Sequence, residues 1–247
     1  MQSFVMSRTR IFTFALATLL LIVSAGIFVP RALAADEKKE AKQLFNGKDL
    51  QGWDGDAKYW SVEDGVITGR TTAEDALKHN TFLIWRNGVV KDFELRVLYK
   101  IASGNSGIQY RSKDEGNHVV SGYQADIVGD SPDKYSGILY EERGRGILAQ
   151  RGQEVAIDEA GKKDVRGSVG DSDVLAEAIK QGEWNEYTVV AQGNKLTHKI
   201  NGETTVEVTD AEKTKAAHEG ILALQLHQGP PMLVQFKDIR LIELPAE

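Results

Sequence analysis

The sequence predicts an all-β fold, two antiparallel sheets packed as a sandwich with one short helix. Three observations carry this prediction. Apolar and polar residues alternate with a period of two in many separate runs, glycine and asparagine turn signals separate those runs, and 24 glycines accompany few helical stretches.

Taken in order, Arg8 and Arg10 precede an uncharged run over residues 11–29 that leads to Ala32-Leu33-Ala34. This is the order of a secretory leader over 1–34, cut near Ala34. The run is also long enough to approach a bilayer span, so a retained anchor over 11–29 is the competing reading. The small residues Ala32 and Ala34 favour cleavage, and with it a secreted or periplasmic protein without a stable membrane partner. Residues 35–43 are charged and small, as in a solvated linker, and the folded domain is expected over 44–247. The leader holds three arginines and no acid, so its loss makes the chain more acidic than its formal charge of -6. An acidic surface argues against nucleic acid as a partner. With no cysteine, disulfides, thiolate catalysis and cysteine zinc sites are excluded.

Phe93, Leu95, Val97, Tyr99 and Ile101 fall on one side of a strand, with Glu94, Arg96 and Lys100 on the other. The same period recurs at Ile108 and Tyr110, at Tyr123, Ala125 and Ile127, at Tyr187, Val189 and Ala191, at Leu196, His198 and Ile200, and at Leu222, Leu224 and Leu226. Gly193-Asn194 and Asn201-Gly202 mark turns, the second suited to a tight hairpin because both residues tolerate positive φ, so Gln192 to Val208 reads as a meander. One helix is predicted, capped by Asp171 or Ser172, striped by Val174, Leu175, Ala178 and Ile179, and stopped at Gly182.

The polar sides of three strands carry the chemistry. One presents Gln109 and Arg111, another Gln124 and Asp126, a third Gln225 and His227. In one sheet they form a plate of amides, a guanidinium, a carboxylate and an imidazole, which suits sugars because hydroxyls both donate and accept. The bland reading is a solvent-facing sheet, but such surfaces favour Lys, Glu and Thr over repeated Gln. The loop Asn105-Ser106-Gly107 precedes the first of these strands, and glycine there lets backbone approach a ligand closely, although its plain reading is a turn. The stretch Gly137 to Gly146 adds Tyr140, Glu141, Glu142, Arg143 and Arg145, whose plain reading is a set of surface ion pairs. Adjacent Glu141 and Glu142 point to opposite faces of a strand, so a conventional glycosidase pair would have to be Asp126 with one of them.

No E-x-D-x-E run is present, and His79, His118, His198 and His227 lack metal-ligand spacing. No cofactor is expected; calcium through Asp130, Asp133 or backbone carbonyls stays open, although no loop matches a calcium pattern. Trp53, Trp60, Trp85 and Trp184 sit among strand-like apolar residues and read as core before they read as sugar platforms.

Seven ordered segments then matter together: Leu44 to Trp53, Trp60 to Ile67, Asp92 to Leu95, Gly104 to Ile108, Gly122 to Asp126, Gly137 to Tyr140 and Glu183 to Tyr187. Over about Leu44 to Leu244 the chain resembles the 3-keto-disaccharide hydrolase domain family. The resemblance implies a concanavalin A-like jelly roll that cleaves glycosides whose glucose ring a separate oxidoreductase has first oxidised at C3. A C3 ketone acidifies the C2 hydrogen, so a base can remove it, the C1 substituent leaves by β-elimination, and water adds.

For such chemistry His227 or Asp126 is the candidate base, Arg111 or Arg143 the enolate partner, and Glu142 the acid. Asn105, Gln109, Gln124, Tyr140 and Gln225 are the candidate substrate-binding residues. Two other readings fit the same plate: a non-catalytic carbohydrate-binding module, and an ordinary glycoside hydrolase using Asp126 and Glu142.

Overall fold

The computed structural model describes residues 1, 40–129 and 135–246. The expected leader, anchor and most of the linker, and both Asp130 and Asp133, lie outside the described residues. Lys38–Glu247 forms one compact unit.

Among the described residues the chain forms seventeen strands and one helix. The first seven strands are β1 (Lys42–Gln43), β2 (Trp53–Asp54), β3 (Trp60–Glu63), β4 (Val66–Arg70), β5 (Thr81–Trp85), β6 (Phe93–Ser103) and β7 (Asn105–Gly116). Then come β8 (Val119–Val128), β9 (Leu139–Glu142), β10 (Gly146–Ala149), β11 (Gln153–Ile157) and β12 (Lys163–Ser168). After the helix α1 (Ser172–Glu177) follow β13 (Asn185–Gln192), β14 (Lys195–Ile200), β15 (Glu203–Asp210), β16 (Ile221–Leu226) and β17 (Leu233–Glu243).

They build two sheets. One runs β12-β11-β15-β14-β13-β6-β17-β4-β3, with β1 also on β17; the other runs β10-β9-β8-β7-β16-β5-β2. Pairing is antiparallel except between β11 and β15, where Val155 lies beside Val208 with both strands running the same way. The chain crosses from the smaller sheet to the larger between β10 and β11, and so meets β15 from the free edge.

The alternation read from sequence is the core. Phe93, Leu95, Val97, Tyr99 and Ile101 of β6 pack in one apolar cluster with Ile108 and Tyr110 of β7, Tyr123, Ala125 and Ile127 of β8, and Leu222, Leu224 and Leu226 of β16. Within it His198 is fully buried between Tyr110 Oη at 2.9 Å and Tyr187 Oη at 3.2 Å, a polar tie from one sheet to the other. Asn201 and Gly202 take φ of 52° and 90°, as the tight β14–β15 hairpin requires. Asp171 caps α1 through bonds from Asp173 N and Val174 N. The helix is shorter than its predicted stripe: it ends at Glu177, Val174 is exposed and Leu175 buried.

Candidate active site

β8, β7 and β16 are neighbours, so their outward side chains share one face. Gln109 stands opposite Gln124 on β8 and Ala223 on β16, and Gln124 stands opposite Tyr140 on β9. The amides are bonded to one another in a directed chain. Ser112 Oγ donates to Gln109 Oε1 (2.7 Å), Gln109 Nε2 to Gln124 Oε1 (2.6 Å), and Gln124 Nε2 to Asp126 Oδ1 (2.5 Å). Gln225 Nε2 donates to Gln124 Oε1 (2.9 Å) and to Glu142 Oε2 (3.2 Å). A carboxylate accepts only, so Gln124 and Gln225 turn N–H groups toward Asp126 and Glu142, while Gln109 donates to the Gln124 oxygen.

Above this floor opens a cleft of about 530 Å³, lined by Asn80, Asn105, Gln124, Asp126, Tyr140, Glu142, His227 and Gln228, with Tyr135, Ile138 and Ile147 on its apolar side. That volume is in the range of small-molecule sites. Asp126, Glu142, His227, Asn105, Gln124 and Tyr140 are thus brought together as the sequence suggested. Glu142 also accepts from Asn80 Nδ2, at 3.2 and 3.3 Å. Burial raises its carboxyl above the usual range, against the opposing pull of Asn80 and of the His227 charge. Burial also raises the Tyr140 phenol, helped by the neighbouring Glu142 and Asp126 carboxyls. His227 Nδ1 donates to Gln228 O, so that nitrogen carries a hydrogen and Nε2 is the ring's other polar atom.

Other sequence assignments are corrected. Gln109 and Gln225 are 0 % exposed and cannot meet a sugar hydroxyl; both donate to Gln124 Oε1, and Gln225 also donates to Glu142. Arg111 leaves the plate altogether. Its backbone is left-handed (φ 46°) at a register shift, and its guanidinium is buried on Lys91 O, Gly193 O and Asp92 Oδ1. Strict alternation past Gln109 therefore mislocates it. Arg143 is exposed and lines a neighbouring depression with Lys113, Gly144 and Lys215, which touches Glu142 but not Asp126. Arg145 forms no surface pair: it is buried against Glu141, Asp210 and Glu212, which occupies Glu141 fully.

Trp53, Trp60 and Trp85 are buried, and Trp184 lies under Lys237 Nζ at 4.2 Å. Asn80 was missed by sequence reasoning. It precedes the fully buried β5, where no alternation points to a face, and its two ends bond Glu142 and Gln228 N. Among the described residues no group of three or more His, Asp or Glu is placed to hold a metal ion, and no helix is long and apolar enough to cross a membrane.

Fold and cleft together define a jelly-roll protein with an acidic, amide-floored cleft on its smaller sheet. The chain belongs to the 3-keto-alpha-glucoside-1,2-lyase-like domain family, whose model matches residues 40–242. It is accordingly a carbohydrate-acting protein. Solved structures share the fold. A Parabacteroides distasonis protein provisionally described as a glycosyl hydrolase is 20 % identical, with 83 % of this chain and 100 % of that one covered at a TM-score of 0.55. A Bacillus subtilis protein of galectin-like fold is 10 % identical, with coverage of 84 % and 100 % and a TM-score of 0.54. The carbohydrate-binding module CBM66 of Bacillus subtilis is 12 % identical, with coverage of 78 % and 96 % and a TM-score of 0.51. No curated protein matches the chain.

Proposed function

We propose that the chain cleaves 3-keto-glucosides by elimination followed by hydration. The supporting observation is that Asp126 and Glu142 enter one cleft from one amide chain, Asp126 accepting from Gln124 and Glu142 from Gln225 and Asn80, and that burial raises the Glu142 carboxyl above its ordinary range. A carboxyl that holds its proton more tightly suits the acid, and a second carboxylate beside it suits the base.

Asp126 takes the C2 proton, made acidic by the C3 ketone, and the electron pair becomes an enolate. The C1–O bond then breaks as C1=C2 forms, and Glu142 gives its proton to the departing oxygen. Water adds its oxygen to C1 after returning a proton to Glu142, and C2 regains a proton from Asp126, so the net change is hydrolysis. Asn105 and His227, which line the cleft, bond the C3 oxygen and neighbouring hydroxyls in this reading, and Tyr140 shapes the wall. A C3 ketone implies a separate oxidoreductase upstream, and the leader-like residues 1–34 support export before either acts.

Turnover of a 3-keto-glucoside in deuterated water tests this. Deuterium at C2 of the product is the expected result, and product without it sinks the elimination. Cleavage of the unoxidised glucoside would instead assign Asp126 and Glu142 to ordinary glycoside hydrolysis. Sugar binding without turnover of either would leave a carbohydrate-binding module.

A further inference from the structure

We propose that the bulge at Arg111 and Ser112 is the positioning element of the cleft: it folds the β7–β8 hairpin over the sheet and so brings Glu142 onto the amide chain that holds Asp126. The inference rests on the reading above for its kinetic consequence alone.

On a flat sheet Glu142 and Gln225 would not meet. Between β9 and β16 stand β8 and β7. Glu142 faces Gly122, whereas Gln225 is one position beyond the Leu224–Ile108 pair, level with Gly107 and Asp126. Three strand spacings of ~4.8 Å and four residues of ~3.4 Å separate such backbones by roughly 20 Å. Gln225 Nε2 nevertheless lies 3.2 Å from Glu142 Oε2. The sheet must be folded between them.

The fold is at the bulge. Register shifts between Tyr110 and Lys113, where Arg111 is left-handed, and opposite it Gly122 has φ 133°, with a Cβ there falling 2.8 Å from Ser112 Cα. Beyond this point Val120 packs on Phe82, Ile84 and Ala223, and Phe82 N donates to His118 O at 3.0 Å, although β8 and β5 are separated by two strands. The hairpin end therefore lies across β16. Arg86, bonded to Asp54 and Asp114, ties it down. A left-handed arginine is strained; what holds it is the fan of bonds from its buried guanidinium to Lys91 O (2.6 Å), Gly193 O (2.8 Å) and Asp92 (3.1 Å). Ser112, the next residue, supplies the hydroxyl that starts the amide chain.

The test is Arg111→Lys in the full chain, which keeps the charge and loses the planar fork. The charged and titratable groups near Glu142 are Tyr140 and Glu141 on its own strand, Arg143 just after it, His227, Asp126, and Arg111, Lys113 and Lys215 across the neighbouring depression. The substitution keeps the positive charge of Arg111 and alters none of the others. Circular dichroism checks the fold, and the Glu142 carboxyl is titrated by carbon-13 NMR, assigned by difference from Glu142→Gln.

The expected result is a folded protein whose Glu142 titrates lower, toward an ordinary glutamate. On a 3-keto-glucoside its kcat falls at least tenfold with KM within twofold, and Ser112→Ala lowers kcat in the same direction by less. A folded Arg111→Lys protein with the wild-type titration and kcat overturns the proposal. If Arg111→Lys does not fold, Asp92→Asn, which keeps an oxygen acceptor, is read by the same criteria. If wild type turns over no 3-keto-glucoside, the proposed reaction fails on its own and the titration alone decides: a lowered midpoint supports the bulge, an unchanged one refutes it.

Discussion

A carboxyl group that loses water holds its proton more tightly, and partial burial in the cleft wall raises Glu142 in this way. Its pKa is raised in the fold, so its contribution to stability is complete below the unfolded value and is lost as pH rises through the folded one. Glu142→Gln should therefore match wild type in thermal midpoint near pH 4 and exceed it by a few degrees at pH 8, as calorimetry at both pH values would show. The same change removes the acid and should cut kcat by about 10²- to 10⁴-fold. A variant less stable than wild type at pH 8 would mean that the cleft favours the carboxylate, so that the fold lowers the Glu142 pKa instead of raising it. Asp126→Asn is expected to lose kcat on the same scale while still binding the 3-keto-glucoside, which titration calorimetry would detect. At this scale the sequence was informative: alternation put Gln124 and Asp126 on one face with Gln109, and the opposition of adjacent residues separated Glu142 from Glu141. Asn80 carried no such signal, because the strand after it is buried throughout and shows no period.

Between single groups and the whole sheet, glycine decides how closely neighbours approach. At Gly107 a Cβ would stand 2.5 Å from Gln124 Cγ and Cδ, in a buried side chain bonded to Gln109, Gln225 and Asp126. At Gly220 it would collide with the backbone of Arg111 and Ser112, which cannot move without undoing the bulge. The two substitutions should thus separate. Gly107→Ala is expected to lower the urea midpoint less than Gly220→Ala, because a side chain yields where backbone does not, and to lower kcat by turning the Gln124 amide from Asp126. Gly220→Ala is expected to cost about 1–3 kcal/mol of stability in the same denaturation, the usual penalty of overpacking. Equal losses of stability in both would show that the Gln124 side chain is as fixed as backbone. The bulge itself was not legible. A period of two counts Arg111 with Gln109, and nothing in an Arg-Ser pair announces a left-handed residue, since such backbones favour glycine or asparagine. The Asn201-Gly202 hairpin was legible for the opposite reason, both of its residues being suited to positive φ.

Across the molecule the two sheets are joined by apolar packing and by polar ties, among them Tyr110–His198–Tyr187 and Tyr123 Oη to Asp210. The sequence placed Tyr110, His198 and Tyr187 on inward faces, but it could not bring together residues from strands of different sheets, because period reports a face and not what lies opposite. Complete burial lowers the His198 imidazole to a pKa of about 3, so the ring is neutral in the fold throughout the ordinary pH range. In the unfolded chain it takes a proton near pH 6.5. A depressed folded value means that stability is full above pH 6.5 and falls as the pH drops from there toward 3, at up to about 1.4 kcal/mol per pH unit from this group. His198→Gln keeps a donor and an acceptor for the two tyrosines and removes the titration. Its urea midpoint should lie below wild type at pH 7.5, since the amide fits the ring's space imperfectly, and the gap should narrow at pH 4.5 as wild type alone loses stability to the proton. A gap of constant size across that window would show that the acid sensitivity of the sandwich comes from its carboxylates and not from the imidazole between the sheets.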